Sequence, residues 1–123
     1  MGNALVDILT RLKNDDILKS FNLPRGSMTL VDLELSNMIN IQSSDLEKTK
    51  ASGGSAANTI HGLARLGVKT GYIGKIGKDD LGRIFKKDMK KSGINTILYQ
   101  SMTDTGRVIG MISPDSERTM ATF

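Results

Sequence analysis

Apolar residues recur along this chain in two rhythms. Leu5, Val6, Ile8 and Leu12 alternate loosely from Asn3 to Leu12, which predicts a strand. Asn14, Asp15 and Asp16 then offer a cap and first-turn acids for a short helix through Ile17, Leu18 and Phe21, ended by Leu23-Pro24-Arg25-Gly26. Met28 to Val31 reads as a short strand. Leu33, Leu35, Met38, Ile39 and Ile41 fit either period and are read as a helix after Asp32, and polar Ser43 to Ser52 reads as a loop or frayed helix. Gly53-Gly54-Ser55 interrupts the chain before a clearer helix from Ala56 to Leu66, with Ala57, Ile60, Leu63 and Ala64 facing inward and Gly67 in the left-handed terminating position. Val68 to Ile76 is strand-like, Asp79-Asp80 opens a helix that Ser92-Gly93 closes, and Thr96 to Gln100 is a strand. Arg107 to Ile112 and Arg118 to Phe123 are two further strands, each preceded by a turn.

Helix and strand alternating over short links predict an α/β fold with parallel strands, and the two hairpin-like strands at the end predict a small antiparallel patch. No repeat or long linker divides residues 1–123, so one domain is expected. The apolar, β-prone ending from Thr119 to Phe123 gives the expectation of an amino-terminal piece of a larger fold. Its last strand would then leave an open sheet edge that favours association or aggregation, so an isolated chain that is a homo-oligomer, swapped or poorly soluble is expected.

Composition narrows the function classes. With 123 residues, 38% of them hydrophobic, the chain can bury a core without staples, and the lack of cysteine excludes disulfides, thiolate metal sites and a Cys nucleophile. No apolar run approaches the ~20 residues a bilayer demands, and no signal peptide opens the chain, so no membrane partner and a cytoplasmic location are expected. The net charge of +4 resides between Lys75 and Lys91, where seven basic residues face three acids. On a helical wheel Leu81, Ile84, Phe85 and Met89 share one face and Lys86, Lys87, Lys90 and Lys91 lie opposite, which describes a solvated helix rather than a nucleic-acid surface.

Two clusters could carry chemistry. In Gly53-Gly54-Ser55-Ala56-Ala57-Asn58, two glycines before a helix let backbone approach a ligand, and Asn58 can donate to and accept from a hydroxyl. The same pattern also suits a tight turn packed on a sheet. Asn3 and Asp7 lie four apart, on one face of the first strand or on either side of a bulge. A carboxylate among Leu5, Val6 and Ile8 is costly to bury without partners and is suited to gripping a diol, although an exposed edge-strand acid fits as well. Gly71, Gly74 and Gly77 miss the dinucleotide spacing, neither Gly-Lys pair fits a P-loop, and Ser55 and His61 sit on different helix faces for a hydrolase pair.

Together, Gly2-Asn3-Ala4-Leu5-Val6-Asp7, Gly53-Gly54-Ser55-Ala56-Ala57-Asn58, Gly67 and Gly77 resemble the amino-terminal half of a ribokinase-like kinase of the phosphofructokinase-B family, nearest its adenosine-kinase-like branch. The resemblance implies a three-layer α/β/α sheet with a small β lid, only the amino-terminal portion being present. It implies transfer of the ATP γ-phosphoryl group to a CH2OH of a small-molecule sugar or nucleoside. Asp7 would accept from the sugar hydroxyls with Asn3 in support, Asn58 would meet the same diol, and Gly53, Gly54 and Ser55 would line the pocket. The strands at Leu5, Met28, Thr96 and Arg107 would build the lid and its junction. Ile60 departs from the small residue usual in the family, and Arg118 has no assigned role. The family's catalytic Gly-Ala-Gly-Asp segment does not occur in this sequence, so no catalytic residue is expected here. ATP, Mg2+ and any monovalent cation would be held by a carboxyl-terminal part. The alternative is a non-catalytic ligand-binding or assembly module on the same half-fold.

Overall fold

The computed structural model describes residues 1–123 and has seven strands and four helices: β1 (Leu5–Arg11), α1 (Asp16–Ser20), β2 (Met28–Leu30), α2 (Leu33–Gln42), β3 (Lys48–Gly53), α3 (Ser55–Arg65), β4 (Gly71–Ile76), α4 (Asp80–Lys91), β5 (Asn95–Gln100), β6 (Gly106–Ile112) and β7 (Arg118–Thr122). They form two compact units, one of Met1–Asp7 with Lys50–Gly106 and one of Ile8–Thr49 with Arg107–Phe123. No helix is long and apolar enough to cross a membrane.

In the second unit the strand order is β2-β7-β6-β1. β7 runs parallel to β2, with Met28 opposite Met120, and antiparallel to β6, with Val108 opposite Thr122. The expected antiparallel patch is therefore present. The expected open edge at Phe123 is not, because β7 is enclosed on both sides and Phe123 exchanges two backbone hydrogen bonds with Arg107. The edge falls instead on β2, where Met28 and Leu30 are exposed. Leu12, Leu18, Leu23, Val31, Ile39, Ile109, Met111 and Ala121 make one core. α1 and α2 pack on it: Asp32 caps α2, its Oδ1 accepting from the Leu35 amide at 2.8 Å, while α1 has no side-chain cap and Asn14 Oδ1, one residue before its cap position, accepts from the Asp16 amide at 3.0 Å. Arg107 is buried yet satisfied, its Nε donating to Ser36 Oγ at 2.7 Å, its Nη2 to Asn37 Oδ1, and its guanidinium lying over the Phe123 ring.

In the first unit β4 and β5 form a parallel pair, Gly71 opposite Asn95 through Ile76 opposite Gln100, joined by α4. The β5 strand at Thr96 thus pairs with β4 and does not join the sheet that contains Met28. Tyr72, Phe85, Met89, Ile76 and Ile94 fill the space beneath α4, with the Tyr72 and Phe85 ring centroids 5.3 Å apart. The lysines of α4 face solvent as expected.

Two helical expectations need correction. The stretch expected as loop ends in β3, a strand whose Lys-Thr-Lys-Ala-Ser sequence carries no apolar alternation because it is the outer edge of its sheet. In α3 only Ala57 is fully buried, while Leu63 is exposed and Ile60 and Ala64 are half-buried. The small residues, not the large ones, set how closely α3 approaches its neighbours: a Cβ on Gly2 would come within 2.6 Å of the Ala56 Cβ.

Asp79 holds the start of α4 and the loop before β6 together. Its Oδ1 accepts from the Gly82 amide at 2.7 Å and the Thr105 hydroxyl at 2.8 Å, and its Oδ2 from the Thr105 amide at 2.7 Å. Asp79→Ala is expected to lower unfolding free energy by about 2–4 kcal/mol, seen as a lower urea midpoint at unchanged m. Asp79→Asn, which keeps one acceptor oxygen, should recover part of the loss.

Candidate functional site

Asp7 is the last β1 residue of the first unit, half-buried between Val6 and Ile8 in sequence, and its carboxylate lies against the backbone of Gly53 at the end of β3. A Cβ at Gly53 would overlap the carboxyl carbon and both oxygens of Asp7. No protein hydrogen bond or ion pair reaches that carboxylate. Burial alone pushes its pKa above the ordinary 3.8. An acid with four lone-pair positions and no internal donor is equipped to accept from a ligand.

Gly54 follows at φ +89°, a left-handed backbone that favours glycine, and it caps α3 without any side-chain acceptor. The first turn of α3 thus presents amides with no side-chain acceptor, starting at exposed Ser55, while the Asn58 amide closes onto the Gly54 carbonyl at 2.9 Å. The Asn3 carbonyl oxygen stands 3.3 Å from where a Gly54 Cβ would be. Asn3 precedes β1, which starts at Leu5, so the expectation that Asn3 and Asp7 share a strand face is not met. The structure therefore joins Asp7 with Gly53, and Asn3 with Gly54. No hydrogen bond links Asn58 to Asp7. Asn58 is exposed and lines a hollow with Ser52, His61 and Asp88.

That hollow was not legible from sequence. Ser52 Oγ and His61 Nε2 lie 2.9 Å apart, and Asp88 Oδ2 accepts from the Ser52 amide at 2.8 Å. The sole histidine thus pairs with Ser52, not with Ser55. Asp88 engages the serine backbone and not the imidazole, so the three do not form a hydrolytic triad. Arg118 is exposed on β7, outside this unit. No group of three or more His, Asp or Glu side chains converges as a metal cradle.

Residues 28–123 match the family model described as pfkB family carbohydrate kinase. A 5-dehydro-2-deoxygluconokinase of Geobacillus kaustophilus is 39% identical over 82 residues, covering 66% of this chain and 24% of its own. Among solved structures, a probable sugar kinase from Rhizobium etli superposes with a TM-score of 0.85 at 35% identity, over 99% of this chain and 37% of its own. The adenosine kinase from Sinorhizobium meliloti gives 0.82 at 34% identity, again over 99% and 37%. The chain therefore spans well under half of the proteins it matches, and its fold is the α/β fold of ribokinase-like kinases.

Gly53→Ala is expected to cost about 1–3 kcal/mol by forcing Asp7 aside. In an Asp7→Gly background the same change should cost at least about 1 kcal/mol less, a coupling that a double-mutant unfolding cycle measures. Because burial makes the folded state hold the Asp7 proton more tightly than the unfolded state, that contribution is complete below 3.8 and is lost as pH rises through the raised folded value. Asp7→Asn should accordingly raise Tm at neutral pH and give no gain in strong acid.

Proposed function

The chain belongs to the pfkB family of carbohydrate kinases, and from this we propose that it is the acceptor-binding part of an ATP-dependent sugar or nucleoside kinase. The observation that carries the reading is the Asp7 carboxylate, half-buried, without a protein partner, and seated on the bare backbone of Gly53. Two vicinal hydroxyls donating to its two oxygens would replace the hydration lost on burial with charge-assisted bonds. The uncapped first turn of α3, with Ser55 exposed, offers amides beside it, and Gly54 keeps the approach open. Asn3, whose backbone meets Gly54, supplies a side-chain amide that both donates and accepts, which suits a polyhydroxy acceptor.

Phosphoryl transfer further requires a base for the attacking hydroxyl and charge stabilisation around the triphosphate. With no catalytic Gly-Ala-Gly-Asp segment and no acidic or imidazole cradle in this chain, ATP and Mg2+ would be held by residues outside it. The function assigned to these residues is to hold and orient the acceptor, and no transfer step is assigned to them.

Calorimetric titration of the full chain with adenosine, ribose, fructose and a ketodeoxy sugar acid tests this. One member of the panel is expected to bind, and Asp7→Ala is expected to weaken it by about 2–5 kcal/mol, as for loss of a charged hydrogen-bonding partner. Equal affinity in the variant would remove Asp7 from the site.

A further inference from the structure

On the first unit, α3, the end of α4 and β3 border an open hollow of about 560 Å3 lined by Ser52, Asn58, His61, Arg65, Asp88 and Lys91. That volume is in the range of small-molecule sites. Ser52 and Gly53 are successive strand residues and project to opposite faces of β3, and Asp7 lies on the Gly53 side. The hollow is therefore a separate place from the Asp7 carboxylate.

Its chemistry is unbalanced toward donors. Arg65 and Lys91 form no ion pair. The one acid, Asp88, already spends Oδ2 on the Ser52 amide. When the Ser52 hydroxyl donates to His61 Nε2, the ring hydrogen resides on Nδ1, which then offers an N–H of its own. The Arg65 guanidinium and the Lys91 ammonium call for a ligand rich in acceptor oxygens, and His61 adds a donor in the tautomer that accepts from Ser52. The free Asp88 oxygen and the Asn58 amide can meet hydroxyls on the same ligand.

We propose that the hollow between α3 and α4 binds a small polyhydroxy oxyanion, a phosphate monoester or a carboxylate, with Arg65 and Lys91 on the charged end and His61 donating beside them. Electrostatics supplies the attraction, and the pinned Ser52–His61 pair fixes the donor's direction. This site does not depend on the acceptor reading of Asp7.

His61 is the only histidine, so its imidazole 15N and C2–H resonances report the hollow without assignment. At fixed pH and ionic strength, the full chain is titrated with ribose 5-phosphate, inorganic phosphate, gluconate and uncharged ribose. A saturable imidazole shift with ribose 5-phosphate is expected, weakened at least about tenfold in the double variant Arg65→Met, Lys91→Met. Weaker saturation by inorganic phosphate supports a phosphate ester as the ligand class, saturation by gluconate alone supports a carboxylate, and inorganic phosphate binding as tightly as ribose 5-phosphate would overturn the polyhydroxy ligand. Ribose binding as tightly as its phosphate, no saturable shift with any anion, or unchanged affinity in the double variant would each overturn the proposal. Asp7→Ala should leave the ribose 5-phosphate affinity unchanged, which separates this site from the acceptor pocket; a matching loss there would merge the two and overturn it.

Discussion

A carboxylate resting on a strand that has no side chain to offer is the constraint around which the candidate site is arranged. Asp7 occupies the space that any Cβ at Gly53 would fill, and it gains no hydrogen bond from doing so. Burial without a donor is unfavourable for the charged form, and the raised proton affinity of Asp7 expresses that cost. Such an arrangement sacrifices some stability, which is the usual relation between a binding group and the fold that positions it. Gly53 must be glycine for the acid to lie there, and Gly54 must tolerate φ +89° for α3 to start where it does. The two adjacent glycines answer two different physical demands.

Three aspartates in the first unit show how the same side chain is sorted by its donors. Asp79 accepts from two backbone amides and a hydroxyl, and so works as a helix cap and a clasp on the Thr105 loop. Asp88 reaches from α4 to the amide of Ser52, satisfying an edge strand that has no neighbour on that side. Asp7 alone receives nothing from the protein. Acids whose lone pairs are filled by backbone belong to the architecture, and those that keep an open oxygen, Asp7 with both and Asp88 with one, are available to a ligand.

Much of this was readable from residue order because it rests on local rules. Asp79 before Asp80-Leu81, Asp32 before Leu33 and Gly67 after Leu66 are capping and termination signals, and α4, α2 and α3 begin or end there. Val68 to Ile76 read as strand-like and β4 covers Gly71–Ile76, with Tyr72, Gly74 and Ile76 buried while Ile73 and Lys75 are not. What failed had long-range causes. β3 has no apolar period, since it is the edge of its sheet and its buried residues are Ser52 and Gly53. β7 looked like an exposed end because nothing in Arg118–Phe123 announces that β2, ninety residues earlier in sequence, pairs with it. The expected inward face of α3 joined Ala57 and Ala64 to Ile60 and Leu63, but close approach rewards small residues, and of the four only Ala57 disappears from solvent.

The same distinction governs the two candidate ligand positions. Asp7 and the glycine turn are recognisable in sequence because each residue type is demanded by local geometry: an acid in an apolar strand, and glycines where a helix starts without a capping side chain. The Ser52–His61–Asp88 arrangement is assembled from a strand and two helices whose side chains meet only after the chain has turned back on itself. A serine, a histidine nine residues later and an aspartate in a basic helix form no motif. Their meeting brings the imidazole into a hollow that Arg65 and Lys91 also line, which favours oxyanions there. The Asp7 position, by contrast, is receptive to donors. One small unit thus carries an acceptor-rich point and a donor-rich hollow on opposite sides of a single strand, and the alternation of side chains along β3 keeps them apart.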